Sequence, residues 1–283
     1  MKKGNFSLLL LIALLFTSCA STKSVNKSTK QKKAELYYGH GTTMLLNQDY
    51  RQALKSLLSA QELDEDNPKV LNNLGMTYYF LDQKELAFDH LKQAVRLDPK
   101  HSDARVNLGS LYFENKKYKK ALAQYEMVLK DLTYQHQYRT HYNIGLIYLK
   151  LGNRKEAKKQ FLLSNTQNQD YCPASYELGN VFYKEYRYNS ALKWFTEASK
   201  GKCYENAGPA YMQAMTLLEL NDYEAARVKF QEVIERFSAT RYSTMANLKL
   251  NEIKNQQILD KKEKGTYRNP EKKAKNIFNS PSF

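Results

Sequence analysis

Cysteine, proline, glycine and tryptophan are all scarce: three, six, eleven and one in 283 residues. Three cysteines cannot staple a disulfide-built scaffold. Long apolar runs are also missing. The longest, Leu8 to Phe16, has nine residues, against about 20 for a membrane-spanning helix. The five histidines (His40, His90, His101, His136, His141) are scattered. There is no His and Cys cluster at metal-ligand spacing and no glycine-rich phosphate loop. An enzyme is therefore not expected, and no catalytic residue, metal or cofactor is assigned.

What the amino terminus does have is the pattern of an export signal. Lys2 and Lys3 precede the apolar run, which leads into Thr17-Ser18-Cys19. A small residue before a cysteine at that point resembles the bacterial lipobox, with Phe16 where leucine is usual. It implies a signal peptide over 1–18, thioether lipidation of Cys19 and acylation of the new amino terminus. Several acyl chains exceed what stable anchoring needs. Ala20 is not the aspartate that commonly retains lipoproteins at the inner membrane, so an outer-membrane anchor facing the periplasm is expected. Residues 19–33 hold Ser, Thr, Asn and Lys with no acid and read as a lipidated, flexible tether. Of the net charge of +15, the excess concentrates in this tether and in the tail after Asp260. Basicity of this kind raises the possibility of nucleic acid, but export argues against it; solvated charge, or attraction to an acidic envelope surface, is the reading.

Between these ends small residues return on a beat. Glycines stand at 41, 75, 109, 145 and 179, and alanines at 53, 87, 121, 157, 191 and 226. The gaps are 34 residues except for one of 36 and a last one of 35, and each glycine leads its alanine by 12. A 34-residue period with small residues where two antiparallel helices cross resembles the tetratricopeptide repeat. Leu74, Gly75, Tyr78, Ala87, Leu91, Ala94 and Pro99 occupy its places in the second unit. The expected fold is all-α: a right-handed superhelical solenoid of six repeats (34–67, 68–101, 102–135, 138–171, 172–205 and 207–240). Ala214 replaces the glycine in the sixth. A capping helix over 241–264 covers the open end, and 265–283 is a basic tail with no fold of its own. Most of the 22 tyrosines recur in register and read as core.

Cys172 opens the first helix of repeat five and Cys203 follows its second, so both fall at one end of an antiparallel pair. An oxidising compartment permits a disulfide between them; two free thiols are the alternative. In such a solenoid the first helix of each repeat lines the inner wall. By register that wall holds Tyr38, Thr42 and Leu45, then Asn72, Met76, Tyr79 and Phe80, then Val106, Ser110 and Phe113. Tyr142, Leu146 and Leu149 follow, and Tyr176, Asn180 and Tyr183. An apolar, aromatic strip of this kind marks a partner site and suits an amphipathic helix. Asn73, Asn107 and Asn143 repeat in register and could bond a peptide backbone, although asparagine there is common in the repeat pattern itself. The basic carboxylate clamp of chaperone-binding relatives is not evident.

The one 36-residue gap falls at "TYQHQY", between repeats three and four. Asp131 and Tyr134, followed by Asn143 and Gly145, resemble the "D-x-x-Y" turn and "N-x-G" helix opening of the type IV pilus pilotins, the PilF/PilW/Tgl family. That resemblance implies a non-enzymatic outer-membrane lipoprotein, a monomer, that binds the pilus secretin subunit and promotes its localisation and multimer assembly. The alternative is an adaptor for another envelope machine, in outer-membrane protein insertion or the regulation of peptidoglycan synthesis. The two extra residues are expected to alter how repeats three and four stack.

Overall fold

The computed structural model describes residues 28–263. The signal peptide, Cys19, the tether up to residue 27 and the tail from 264 lie outside the described residues. Within them, every regular element is helical. Six antiparallel hairpins follow one another: α1 (Thr29–Leu46) with α2 (Tyr50–Leu63), α3 (Pro68–Phe80) with α4 (Lys84–Leu97), and α5 (Ser102–Glu114) with α6 (Tyr118–Leu129). Then come α7 (Gln137–Lys150) with α8 (Arg154–Gln167), α9 (Cys172–Lys184) with α10 (Tyr188–Glu197), and α11 (Ala207–Glu219) with α12 (Tyr223–Arg236). A final helix, α13 (Arg241–Glu263), packs on α12 and α11. The chain divides between Ala104 and Arg105 into two compact units.

Inside every hairpin one distance in sequence is fixed. Each repeating glycine of the first helix faces the residue sixteen positions later on the second. Gly41 and Gly75 face Leu57 and Leu91; Gly109, Gly145 and Gly179 face Tyr125, Phe161 and Phe195. A Cβ at any of the five would lie 2.5–2.7 Å from that side chain, closer than carbon atoms pack, so the glycine lets a large group close the hairpin. All five facing residues are buried, as is Phe230, sixteen positions after Ala214.

The turn within each hairpin is equally regular. Asp49, Gln83, Lys117, Asn153, Arg187 and Asp222 donate their backbone N–H to the carbonyls of Met44, Tyr78, Tyr112, Tyr148, Phe182 and Leu217, all at 2.8–2.9 Å. This closes a Schellman motif, which needs a left-handed residue at the corner. Gln48, Asp82, Lys116, Gly152, Tyr186 and Asn221 supply it, with φ between 57° and 77°. Five of the six corners use a residue other than glycine.

The first helix starts earlier than the sequence reading placed it. Tether was expected to reach residue 33, yet α1 begins at Thr29. Ser28 Oγ accepts from the Gln31 backbone N–H at 3.2 Å, and Gln31 Oε1 accepts from the Ser28 N–H at 3.1 Å. This reciprocal cap satisfies two N-terminal donors and extends helix into a polar stretch. The two irregular junctions each follow a shortened second helix. α6 has 12 residues and α10 has 10, where the other four have 14. A short 3₁₀ turn, Gly201–Cys203, fills the second junction.

Candidate functional site

The candidate partner surface lies on the first helices and on the joint before α7. In the first unit, Tyr38 is half-buried and packs on the core formed by Ala53, Leu57 and Leu74. Met76 and Tyr79 are half-buried, and Phe80 is about half exposed. Phe80 stacks on Tyr50 with ring centres 4.8 Å apart and meets Tyr79 edge-on at 5.3 Å. Asn72 is not on an open wall: it is buried, and its Nδ2 donates to Asn73 Oδ1 at 3.0 Å. Asn73 in turn donates to Thr42 Oγ1 at 2.8 Å, tying α3 to α1. Asn143 bonds the Tyr125 hydroxyl. Both asparagines therefore serve contacts inside the protein.

In the second unit, Val106 and Phe113 are half-buried against Tyr125 and Ile147. Tyr142, Leu146 and Leu149 pack on the core around Phe161 and Leu178. Tyr176 lies 5.8 Å from the Phe195 ring, and burial pushes its hydroxyl up to about 12. Burial likewise raises Tyr142 above its ordinary range, with the Glu177 charge adding to the shift. These phenols stay neutral and present hydrogen-bonding edges on an apolar wall. A hollow of about 200 Å³ opens beside them, lined by Leu149, Arg154, Glu177, Asn180 and Lys184 among others. Burial raises the Glu177 carboxyl, while a hydrogen bond from Asn180 Nδ2 at 3.3 Å opposes that rise. Tyr183 donates to Glu219 Oε1 at 3.0 Å.

The joint carries the most distinctive geometry. α6 stops at Leu129, and the chain turns on Asp131. Its carboxylate accepts from the Thr133 N–H at 3.0 Å and the Thr133 hydroxyl at 2.6 Å, while its carbonyl accepts from the Tyr134 N–H at 3.1 Å. Gln137 Nε2 donates to the same carbonyl at 2.6 Å, fastening the turn to the start of α7. From Tyr134 a file of rings runs inward. Tyr134 meets His136 at 5.7 Å, His136 meets Tyr138 at 5.9 Å, and Tyr138 meets Tyr171 at 4.9 Å. Tyr171 then meets Tyr142 at 5.4 Å, and Tyr142 meets Phe161 at 5.8 Å. The interplanar angles are mostly 63° to 90°, the edge-to-face arrangement that ring quadrupoles favour. Leu132, in the same turn, is 89% exposed. The sequence reading marked Tyr142 as a wall residue but missed His136, Tyr138 and Tyr171 as its neighbours.

Cys172, at the start of α9, and Cys203, in the 3₁₀ turn, have their Cα atoms 6.1 Å apart with the sulfur atoms in contact. That separation is within the range of a disulfide. Among the described residues no group of three or more His, Cys, Asp or Glu side chains could hold a metal ion. No described helix is long and apolar enough to cross a membrane.

Family models described as tetratricopeptide repeat match residues 68–101 and 138–171, 85–139, and 210–240. The chain is similar to the type IV pilus assembly protein PilF of Pseudomonas aeruginosa, with 23% identity over 199 residues, covering 69% of this chain and 79% of that one. A solved structure of Pseudomonas aeruginosa PilF superposes with a TM-score of 0.68 at 19% identity, covering 78% of this chain and 99% of the other. The crystal structure of PilW, described as a widely conserved type IV pilus biogenesis factor, gives 0.67 at 20% identity, covering 75% and 97%.

Proposed function

We propose a function from this premise: the chain is built of tetratricopeptide repeats and is similar to PilF and PilW. In our reading it is a pilotin, a non-enzymatic lipoprotein that binds the secretin subunit of a type IV pilus in the periplasm. It holds that subunit at the outer membrane and promotes its assembly into a multimeric ring. The lipid on Cys19 supplies location. Within the second unit, the first-helix wall supplies recognition, through half-buried aromatic residues such as Tyr142 and Tyr176. An amphipathic helix of the partner would lay its apolar face along them. No bond is made or broken in the partner; the protein stabilises one of its arrangements over others by differential contact.

The observation that carries this reading is the joint between repeats three and four. A plain structural array would keep its beat there, as it does within every hairpin. Instead the chain inserts a turn held by Asp131, exposes Leu132, and runs a file of rings from Tyr134 to Tyr142 on the wall. In this reading the joint sets the position of the partner surface.

The test is the state of the secretin in cells lacking this protein, read as heat-resistant multimers in unheated outer-membrane fractions. Multimers should disappear while monomer persists, return with the wild-type gene, and fail to return with Cys19→Ser. Deleting Gln135 and His136, which restores the beat and removes one ring of the file, should also fail to restore them at normal protein level. Unchanged multimers in the null strain would overturn the pilotin reading and turn attention to adaptors of other envelope machines.

A further inference from the structure

We infer that the outer face of α1 is a second membrane contact, a docking surface for anionic phospholipid headgroups beside the anchor. Lys32, Leu36, Gly39, Thr43 and Leu46 succeed one another at intervals of four and three, so they form one stripe along the helix. All five are exposed, Leu36 at 71% and Leu46 at 77%, and a Cβ built on Gly39 would meet nothing within 4 Å. The opposite side of α1 is satisfied: Ala34 and Gly41 are buried, and Tyr37, Tyr38, Met44 and Leu45 pack on the core of the first hairpins. A terminal helix of a solenoid ordinarily turns a polar face outward. This one turns out two bare leucines.

The charge at the start of the helix points the same way. Lys30, Lys32 and Lys33 are exposed in its first turns, and the first turn holds no acid. The positive end of a helix dipole disfavours cations and favours acids, and the reciprocal cap at Ser28 fixes the helix end where these lysines must sit. From Ala20 to Ala34 the chain carries five lysines and no acid. Three cations placed against the local field outnumber the one exposed acid on this side, Glu35, and with Leu36 and Leu46 bare further along the helix they fit an external anionic surface with an apolar interior.

The occupant follows from chain length, and this step rests on lipidation of Cys19. Ser28 stands nine positions after Cys19, and nine steps of chain span about 30 Å at most, even fully extended. The amino-terminal end of α1 therefore stays within that reach of the headgroups. The surface available to its lysines at highest local concentration is the bilayer itself, so we assign the stripe to lipid and not to a second copy of the chain.

The experiment uses the mature chain with Cys19→Ser, so that no acyl chain contributes, and two vesicle preparations: phosphatidylglycerol mixed with phosphatidylcholine, and phosphatidylcholine alone. Sedimentation should show binding to the anionic vesicles that falls about tenfold or more when Lys30, Lys32 and Lys33 are replaced by Glu together, and several-fold for Leu36→Glu. Replacing the exposed Lys116, Lys119 and Lys120 of repeat three by Glu is the charge-matched control and should lose much less. Circular dichroism confirms that each variant is folded. Equal losses from the two triple replacements would reduce the effect to diffuse charge and overturn the inference, as would undiminished binding of the α1 variants. If Leu36→Glu instead splits a dimer in analytical ultracentrifugation with vesicle binding intact, the stripe belongs to a second copy and the inference falls. No secretin enters these measurements, so their outcome and that of the multimer assay are independent.

Discussion

Two regions of the array solve one packing problem with different side chains. In the first unit the glycines of α1 and α3 face leucines, Leu57 and Leu91. In the second the equivalent partners of α5, α7 and α9 are rings, Tyr125, Phe161 and Phe195, and Phe230 takes the same place in repeat six. The backbone rule is shared, but its consequences differ. A leucine can change rotamer to admit a neighbour, and it offers nothing beyond its bulk. A ring is rigid and has an edge and a face. Phe161 ends the file of rings that starts at Tyr134, so the second unit carries its core outward to the joint. The difference teaches that one residue class at one register position decides whether a repeat is only stacked or is also wired to its surface.

The largest test of this contrast is truncation of the facing residue. Phe161→Ala should cost about 3–5 kcal/mol, through lost burial and a residual cavity, and should also loosen Tyr142. Gly145→Ala should cost about 1–3 kcal/mol from overpacking against three atoms of a rigid ring, and more than Gly41→Ala, whose new methyl meets Leu57 Cγ and Cδ2 at 2.7 and 2.9 Å and its backbone N at 3.2 Å, in a side chain that can change rotamer. Denaturant midpoints of the four proteins, wild type included, check this; equal costs at the two glycines would erase the distinction. The next effect concerns the staple. We expect Cys172 and Cys203 to be oxidised, contributing about 3–4 kcal/mol for a loop of this length and acting on the second unit only. Thiol labelling of unreduced, denatured Cys19→Ser protein should find no free cysteine, and reductant should sensitise the second unit to protease while sparing the first. Two labelled cysteines would remove the bond.

The smallest effect is a pH dependence confined to the second unit. Burial raises the Glu177 carboxyl above its ordinary 4.5, so the folded state holds that proton more tightly than the unfolded state. The associated stability is fully present below about pH 4.5 and is lost as pH rises through the raised value. Glu177→Gln should therefore stabilise the protein modestly at neutral pH and match wild type at pH 4. A variant no more stable at either pH would show that the Asn180 hydrogen bond and the nearby Lys184 fully compensate the buried charge.

Much of this architecture could be read in the sequence, because a glycine and an alanine twelve residues apart report a helix crossing wherever they recur. The same feature failed to expose the facing residue. Leu57, Leu91, Tyr125, Phe161, Phe195 and Phe230 are also in register, and only the structure showed that they explain the glycines. The start of α1 was legible in principle, since Ser28 and Gln31 form a capping-box pattern, but a run of lysines and polar residues masked it. Asn72 shares its register position with Val106, Tyr142 and Tyr176. Its short side chain is covered where the tyrosines reach outward. The ring file was not legible at all: it joins Tyr138 to Tyr171 across a whole repeat, and its course depends on the Asp131 turn, whose hydrogen bonds leave little trace in composition.

The fixed interval of sixteen also says where this chain tolerates editing. Every change in the beat, two residues after repeat three and one after repeat five, lies between hairpins. None lies inside one, where a single inserted residue would swing the large side chain away from its glycine and leave a left-handed corner in the wrong place. Lineages descended from such an array can gain or lose length only at the seams, and there a new loop arrives already displayed beside an intact wall. An engineer splicing a label or a second binding module into this protein would cut at the seam after repeat five, leaving the joint at Leu132 to its partner, and nowhere within the folded pairs.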